Sequence, residues 1–194
     1  MAFWDKIKGL ITPKKEEDDK PDLIKLGDEL SSADLDFKFA KLFTHSGGIF
    51  NYCGDETEAL QTLHKIIKAE DIKSFFCWDN ELKSFLDVVN ASYTDVLTQK
   101  NDAAFITCEC LIAYDGKIML SSNNILNYNS AHLPQKIIVI ANVSQIVSNL
   151  NEAMAIVKRR RGPLKNLTSI SGSQSKLDDP NAVDNKLFLL LLED

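Results

Sequence analysis

Two side chains near the middle of the sequence have the chemical types that acid–base catalysis requires. Glu109 lies just before a predicted turn and can act as a base or a nucleophile. His132 lies in a polar loop and can act as a general acid or base near neutral pH. Each has a simpler interpretation, because strand carboxylates commonly face solvent and this histidine can serve as a hydrogen-bonded lid over Leu133-Pro134. The sequence leaves both interpretations open.

Two polar segments are candidates for ligand binding. The first is rich in neutral hydrogen-bonding side chains, namely Ser121, Ser122, Asn123, Asn124, Asn127, Asn129 and Ser130. The second is a glycine-containing loop with hydroxyls and one cation, namely Ser171, Gly172, Ser173, Ser175 and Lys176. Because open α/β sheets bind ligands at the carboxyl ends of their strands, we expect both segments to line one anion site there. An ordinary turn with serine caps is the alternative for the second segment.

The cysteines and the missing motifs argue against a cofactor held by this chain. Cys53, Cys77, Cys108 and Cys110 form no Cys-x-x-Cys pair and have no histidine-rich neighbour, so we expect free, buried thiols and no metal. The spacing of Cys108 and Cys110 places both on one side of a predicted strand. A ferredoxin-type cysteine run, a Walker loop, a Gly-x-Gly-x-x-Gly fingerprint and a Ser-His-Asp motif are all missing.

Composition narrows the class of protein. A net charge of −6 argues against nucleic-acid binding, which needs a basic surface. No window is apolar enough for a transmembrane segment, and Asp5, Lys6 and Lys8 interrupt any signal sequence, so a cytoplasmic protein is expected. The sequence predicts a short amphipathic helix and a charged linker over residues 1–21. It predicts one domain over residues 22–194.

The order of the predicted elements indicates an α/β fold. Asp115-Gly116 between apolar runs predicts a β-hairpin, and the run Ile137–Ile140 predicts a strand buried on both faces. Strands at 49–53 and 74–78 alternate with helices at 35–44, behind Asp55, and at 81–89. We therefore predict three layers, with a mostly parallel sheet flanked by helices.

The C-terminal third is predicted to continue this pattern. A helix capped by Asn142 or Ser144 should run to about Arg160 and end in the basic run 158–161. That run suits the negative end of a helix dipole, and docking of an anion is the alternative. Strands at 167–171 and 186–192 should follow.

Three pieces of the sequence resemble the LUD domain, the family of the C-type subunit of the bacterial lactate-utilisation system. The first is Glu109 to Ser122, which is similar to the family's Ala-Glu-Thr-Gly-Thr strand and turn. The second is the segment Ser130–Pro134 with the strand and helix that follow, and the third is the loop Ile170–Asp178, which resembles a Gly-Pro-Ser-x-Thr-Ala-Asp loop. The segment Phe37–Gly48 also resembles the helix and Gly-Gly turn that open the family's domain.

The resemblance implies a fold similar to sugar-phosphate isomerases and CoA transferases. It also implies a part in oxidising L-lactate to pyruvate, with iron–sulfur clusters only in partner subunits. Ser173 and Lys176 replace the usual Pro and Thr, and residues 180–184 replace a Gly-x-His-Gly-Pro segment, so the chain looks like a divergent member.

Three functional hypotheses follow from the residues and the resemblance together. The first is an accessory subunit or ligand-binding component in lactate or organic-acid utilisation, working with iron–sulfur oxidoreductase subunits. The second is a stand-alone acyl or CoA transferase or a sugar-phosphate isomerase, in which Glu109 would be essential. The third is a non-catalytic regulatory or scaffold protein.

Overall fold

The computed structural model describes residues 34–159, 166–172 and 186–194. The described residues form five helices: α1 (Leu35–His45), α2 (Glu56–Ala69), α3 (Asn80–Val88), the one-turn α4 (Ser122–Ile125) and α5 (Leu150–Arg159). They also form ten strands: β1 (Ile49–Cys53), β2 (Ser74–Phe76), β3 (Ser92–Thr94), β4 (Ala103–Ile106), β5 (Cys110–Ile112), β6 (Lys117–Leu120), β7 (Lys136–Asn142), β8 (Ile146–Val147), β9 (Thr168–Ile170) and β10 (Lys186–Leu192).

Six of these strands form one sheet, in the order β1-β10-β7-β4-β2-β3, and every neighbouring pair is parallel. The central strands β7 and β10 are almost wholly apolar and are buried on both faces. Their side chains alternate between two separate clusters: Ile138 and Ile140 face one, and Ile137 and Val139 face the other. The predicted α/β class, with a parallel sheet covered on both faces, is confirmed.

Helices α2 and α3 cover the first face of the sheet. Each begins at an aspartate whose carboxylate accepts hydrogen bonds from the first turn: Asp55 from the N–H of Glu58 at 2.8 Å, and Asp79 from the N–H of Glu81 at 2.8 Å. Their buried side chains, Ala59, Leu63, Ile66, Leu82 and Leu86, pack on the sheet. We call this the α2–α3 face.

The opposite face is covered by α1 together with a second, four-stranded sheet in the order β8-β5-β6-β9. Phe39 and Phe43 of α1 stack at 5.5 Å and contact the same cluster as Leu111 and Ile118 of the second sheet. Helix α5 packs on the outer side of this sheet through Ala153 and Val157. We call this side the second-sheet face.

Several predicted elements are confirmed. Strands β1 and β10 have the predicted bounds, and the Asp115-Gly116 turn joins β5 to β6 in an antiparallel hairpin, with Gly116 at φ +65°. Gly47-Gly48 ends α1, where the N–H of Gly48 donates to the carbonyl of Phe43 at 3.0 Å.

Other predicted elements are wrong. The apolar run before the hairpin is two strands, β4 in the parallel sheet and β5 in the second sheet, so Cys108 and Cys110 pack in different clusters. The helix predicted from Asn142 begins only at Leu150, because residues 143–145 form a 3₁₀ turn and residues 146–147 form β8. Strand β9 pairs antiparallel with β6 in the second sheet and is not part of the parallel sheet.

Candidate functional site

Glu109 lies at the point where the chain passes from the parallel sheet to the second sheet. It follows the carboxyl end of β4 and immediately precedes β5, and its backbone N–H donates to the carbonyl of Met119 at 2.9 Å. Its side chain is only 2% exposed. The simple interpretation of a solvent-facing strand carboxylate is therefore wrong.

Two donors from the polar segment after β6 reach the same oxygen of this carboxylate. The hydroxyl of Ser121 donates to Oε1 of Glu109 at 2.5 Å, and the side-chain amide of Asn123 donates to the same atom at 3.0 Å. The structure thus brings together three of the residues singled out from the sequence. A buried carboxylate is costly without such partners, and these bonds hold it in one orientation.

The one-turn helix α4 fixes both donors. Ser121 is its N-cap, and its hydroxyl oxygen accepts from the backbone N–H of Asn123 at 3.0 Å. Asn124 completes a capping box, because its side-chain oxygen accepts from the N–H of Ser121 at 2.9 Å. Glu109 is thereby held by a rigid turn.

Two further residues, Thr107 and Trp78, which the sequence did not single out as functional, support this turn. The side-chain amide of Asn124 donates to the hydroxyl of Thr107 at 3.0 Å, and the indole of Trp78 donates to the carbonyl of Asn124 at 2.8 Å. Trp78, which follows β2, and Thr107, which follows β4, both lie at the carboxyl edge of the parallel sheet. The spacing of Ser121 and Asn124 is a capping-box signal that would have located the turn.

His132 lies in a different setting. It is the last residue of an exposed 3₁₀ turn, Ser130–His132, and its backbone N–H donates to the carbonyl of Asn129 at 2.9 Å. Within the described residues its imidazole makes no hydrogen bond or ion pair. Leu133 beside it is buried against the core, in keeping with the structural alternative for this segment.

The glycine loop does not meet the Ser121 segment in the way we expected. In the antiparallel pairing of β6 with β9, Ile118 lies opposite Ile170 and Leu120 opposite Thr168, so Ser171 lies at the Lys117 end of β6. That end is about 13 Å from Ser121, at roughly 3.3 Å per residue. The expectation that strand 167–171 ends at the same edge as Ser121 is therefore wrong.

Gly172 serves a packing role in the described part of its loop. A Cβ atom at this position would lie 2.3 Å from the backbone nitrogen of Gly48 and 2.4 Å from the carbonyl oxygen of Ser46. Only glycine fits this contact with the turn that ends α1. The remaining residues predicted for this loop, Ser173, Ser175 and Lys176, lie outside the described residues, as do residues 1–21 and the arginines at 160 and 161.

The described residues place two limits on the chemistry. They contain no group of three or more His, Cys, Asp or Glu side chains arranged to hold a metal ion. They also contain no helix with the length and apolar character to cross a membrane. All four cysteines are buried free thiols.

Comparison with known proteins gives a family match and a fold match. The LUD domain family matches residues 98–181, a range that includes Glu109 and helix α4. Among solved structures, a DUF162 family protein from Deinococcus radiodurans is similar, with a TM-score of 0.60 and 16% sequence identity over 82% of this chain and 95% of that chain. No curated protein matches the sequence.

At 16% identity the structural match bears on the fold alone, so the likeness to the LUD domain family rests on the sequence match over residues 98–181. The matched range also spans the hairpin, β7 and α5, so it covers the strands that position Glu109. The predicted resemblance to the LUD domain family is therefore confirmed, by sequence over residues 98–181 and by fold over most of the chain.

Proposed function

We propose that this protein is a ligand-binding component of L-lactate or related organic-acid utilisation, acting in the cytoplasm with iron–sulfur partner proteins. The LUD domain match supports this assignment at the level of the family. One observation supports placing the ligand site at Glu109. Its buried carboxylate receives hydrogen bonds from Ser121 and Asn123 at the carboxyl edge of a parallel sheet. Open α/β sheets bind their ligands at this edge.

The acceptor oxygens of Glu109 suit the hydroxyl of a hydroxy acid and not its carboxylate, which carries the same charge. A carboxylate accepts hydrogen bonds, so Glu109 would accept a hydrogen bond from the hydroxyl of a 2-hydroxy acid. This bond would orient the carbon that carries the hydroxyl. Asn123 is exposed and its side-chain amide donates to Glu109, so it connects the buried carboxylate to the surface. Oxidation of lactate removes two electrons, and in this proposal the iron–sulfur partners receive them.

A direct test is titration of the full chain with L-lactate and pyruvate by calorimetry. We expect saturable binding in the wild type and at least about tenfold weaker binding in Glu109→Gln, a loss of about 1.4 kcal/mol. Glu81→Gln is the matched control, because Glu81 lies exposed on α3. Asn123→Ala, which changes an exposed side chain and leaves the Glu109 carboxylate in place, tests the same site by a second route.

The partner part of the proposal needs a separate experiment. Affinity purification from the native host should recover iron–sulfur proteins with the chain. The isolated chain should not produce pyruvate from lactate with an artificial acceptor. The proposal fails if neither acid binds and no iron–sulfur protein is recovered, or if the purified, colourless chain oxidises lactate unaided.

The second candidate is a stand-alone acyl or CoA transferase with Glu109 as nucleophile. A nucleophile needs an open approach to the reacting carbonyl, and Glu109 is 2% exposed. Acyl transfer by the purified chain that is lost in Glu109→Gln and kept in Glu81→Gln would reverse the order of the two candidates.

A further inference from the structure

A polar cavity lies beside the last residue of helix α4 and the segment that follows it. Its volume is about 250 Å³, and the residues of its polar wall are Asn127, Tyr128, Asn129, Ser130, Asn166 and Thr168. Ile125 and Leu167 add apolar surface. None of Glu109, Ser121 and Asn123 lines it, so it is separate from the proposed hydroxy-acid site.

The wall of this cavity is chemically uniform. Among the described residues, its polar groups are three side-chain amides, two aliphatic hydroxyls and one phenol, and none of these side chains carries a charge at neutral pH. A charged ligand would lose hydration on entry with no opposite charge to compensate. Amides and hydroxyls offer both donors and acceptors, so the cavity matches a neutral ligand that carries several hydroxyl groups.

The cavity is built on fixed elements. Tyr128 packs edge-on against Phe76 with ring centroids 5.6 Å apart, and its phenol oxygen accepts from the N–H of Leu97 at 3.3 Å. Thr168 lies in β9, paired with Leu120 of β6, and its hydroxyl lies 3.5 Å from that of Ser130. Side chains held in this way are pre-organised, which lowers the entropy cost of binding.

The size of the cavity limits the ligand. At roughly 30 Å³ per water molecule, a volume of about 250 Å³ corresponds to about eight waters. This is below the usual range of about 300–1,000 Å³ for sites that hold drug-sized ligands. We propose that this cavity binds a small neutral polyhydroxylated molecule of the size of a monosaccharide, at a site distinct from Glu109.

The test uses the full chain labelled with ¹⁵N and observes its side-chain amide signals during titration. The neutral probes are glucose, ribose and glycerol, and the charged probes are ribose 5-phosphate and L-lactate. We expect at least one neutral probe to cause saturable shifts of the side-chain amide signals of Asn127, Asn129 and Asn166. Ribose 5-phosphate should bind more weakly than ribose, because the described residues of the wall offer its phosphate no cation.

Thr168→Val is the informative variant because it removes one hydroxyl and keeps the shape of the side chain. Loss of one hydrogen bond of about 1 kcal/mol should weaken binding of the neutral probe about fivefold. Ser169→Ala is the matched control, since alternate residues of a strand point to opposite faces and Ser169 is exposed. Glu109→Gln should leave the neutral probe's affinity unchanged, which separates this proposal from the hydroxy-acid site.

Three outcomes would overturn the proposal. The first is that no neutral probe shifts these amides saturably, and the second is that ribose 5-phosphate binds more tightly than ribose. The third is that Thr168→Val binds the neutral probe as well as Ser169→Ala does. None of them bears on whether lactate binds at Glu109.

Discussion

The two faces of the parallel sheet are covered by different kinds of element and side chain. On the α2–α3 face, two capped helices bury aliphatic side chains against the sheet. On the second-sheet face, the same strands meet a small sheet and a one-turn helix. Of the four polar or charged residues that are buried in the described part of the chain, three lie there: Glu109, Ser121 and Asn124. The fourth, Asn101, precedes β4 and bonds to the turn at Thr98. This difference suggests that the α2–α3 face mainly supports stability and the second-sheet face mainly supports binding.

The largest effect on stability is expected from Phe105→Ala. Phe105 is fully buried on the α2–α3 face and makes edge-on ring contacts with Phe75 at 6.5 Å and Phe85 at 6.3 Å. Its loss should lower the free energy of unfolding by about 3–5 kcal/mol, measured by urea denaturation. Val88→Ala, at an exposed position of α3, should change it by less than about 0.5 kcal/mol.

At a temperature where Phe105→Ala is still folded, we expect its affinity for lactate to match that of the wild type. A loss of lactate affinity in this folded variant would contradict the assignment of stability to the α2–α3 face and of binding to the second-sheet face.

The next effect is expected from Gly116→Ala in the hairpin. Gly116 has φ +65°, and an added Cβ would lie 2.5 Å from the backbone nitrogen of Phe43 in α1. Left-handed strain of about 1–2 kcal/mol and overpacking of about 1–3 kcal/mol should both destabilise the fold.

Gly54→Ala is the control for this hairpin variant, because its Cβ would meet only the Glu58 side chain, at 3.5 Å. Equal melting temperatures for the two variants would contradict the packing of the hairpin on α1.

Ser121→Ala should have a smaller effect on stability and a clear effect on binding. The change removes one donor to Glu109 and the N-cap of α4, so we expect a loss of about 1–3 kcal/mol in unfolding free energy. Lactate binding should weaken together with it. Ser169→Ala, also a serine-to-alanine change on the second-sheet face, should do neither. A folded Ser121→Ala that binds lactate normally would argue against the Glu109 network as the site.

The smallest effect on stability at neutral pH is expected from ionisation of the Cys77 thiol on the α2–α3 face, because that thiol ionises only at alkaline pH. Burial raises the pKa of Cys77 from 9.0 to about 12, with the Asp79 charge adding to the effect. Above pH 9 the thiol therefore ionises in the unfolded chain before it ionises in the folded one, so its contribution to stability falls as pH rises from about 9 to 12.

Comparison of Cys77→Ala with the wild type at pH 8 and pH 10.5 isolates this contribution. We expect the wild type to lose more stability over this interval than the variant, by at most about 1.4 kcal/mol per pH unit. Identical losses would show that ionisation of this thiol does not contribute.

Strong local patterns made helices α1, α2 and α3 and the longer strands predictable from the sequence. Three patterns are each typical of one local structure: the unbroken apolar run of β7, the Asp115-Gly116 turn and the Gly47-Gly48 helix end. The two- and three-residue strands β8 and β9 are too short to show a period, so β8 was predicted as helix and β9 was assigned to the parallel sheet.

The site was only partly predictable for a related reason. The density of serine and asparagine after β6 marked Ser121 and Asn123, and the chemical type of Glu109 marked it as a candidate. The burial of the Glu109 carboxylate requires hydrogen bonds from Ser121 and Asn123, which are 12 and 14 residues away in sequence. Only the folded hairpin brings these donors to Glu109. The expected meeting of Ser121 with Ser171 failed because it assumed that β9 lies in the parallel sheet.

The most direct test of the central claim is the ¹³C signal of the Glu109 side-chain carboxylate during titration with L-lactate. Labelled glutamate supplies the signal, and its disappearance in Glu109→Gln assigns it. We predict a saturable shift of this signal whose midpoint agrees with the calorimetric Kd, while the signal of Glu81 stays fixed. A Glu109 signal that does not move when lactate is saturating, in a chain that remains folded, would contradict the account.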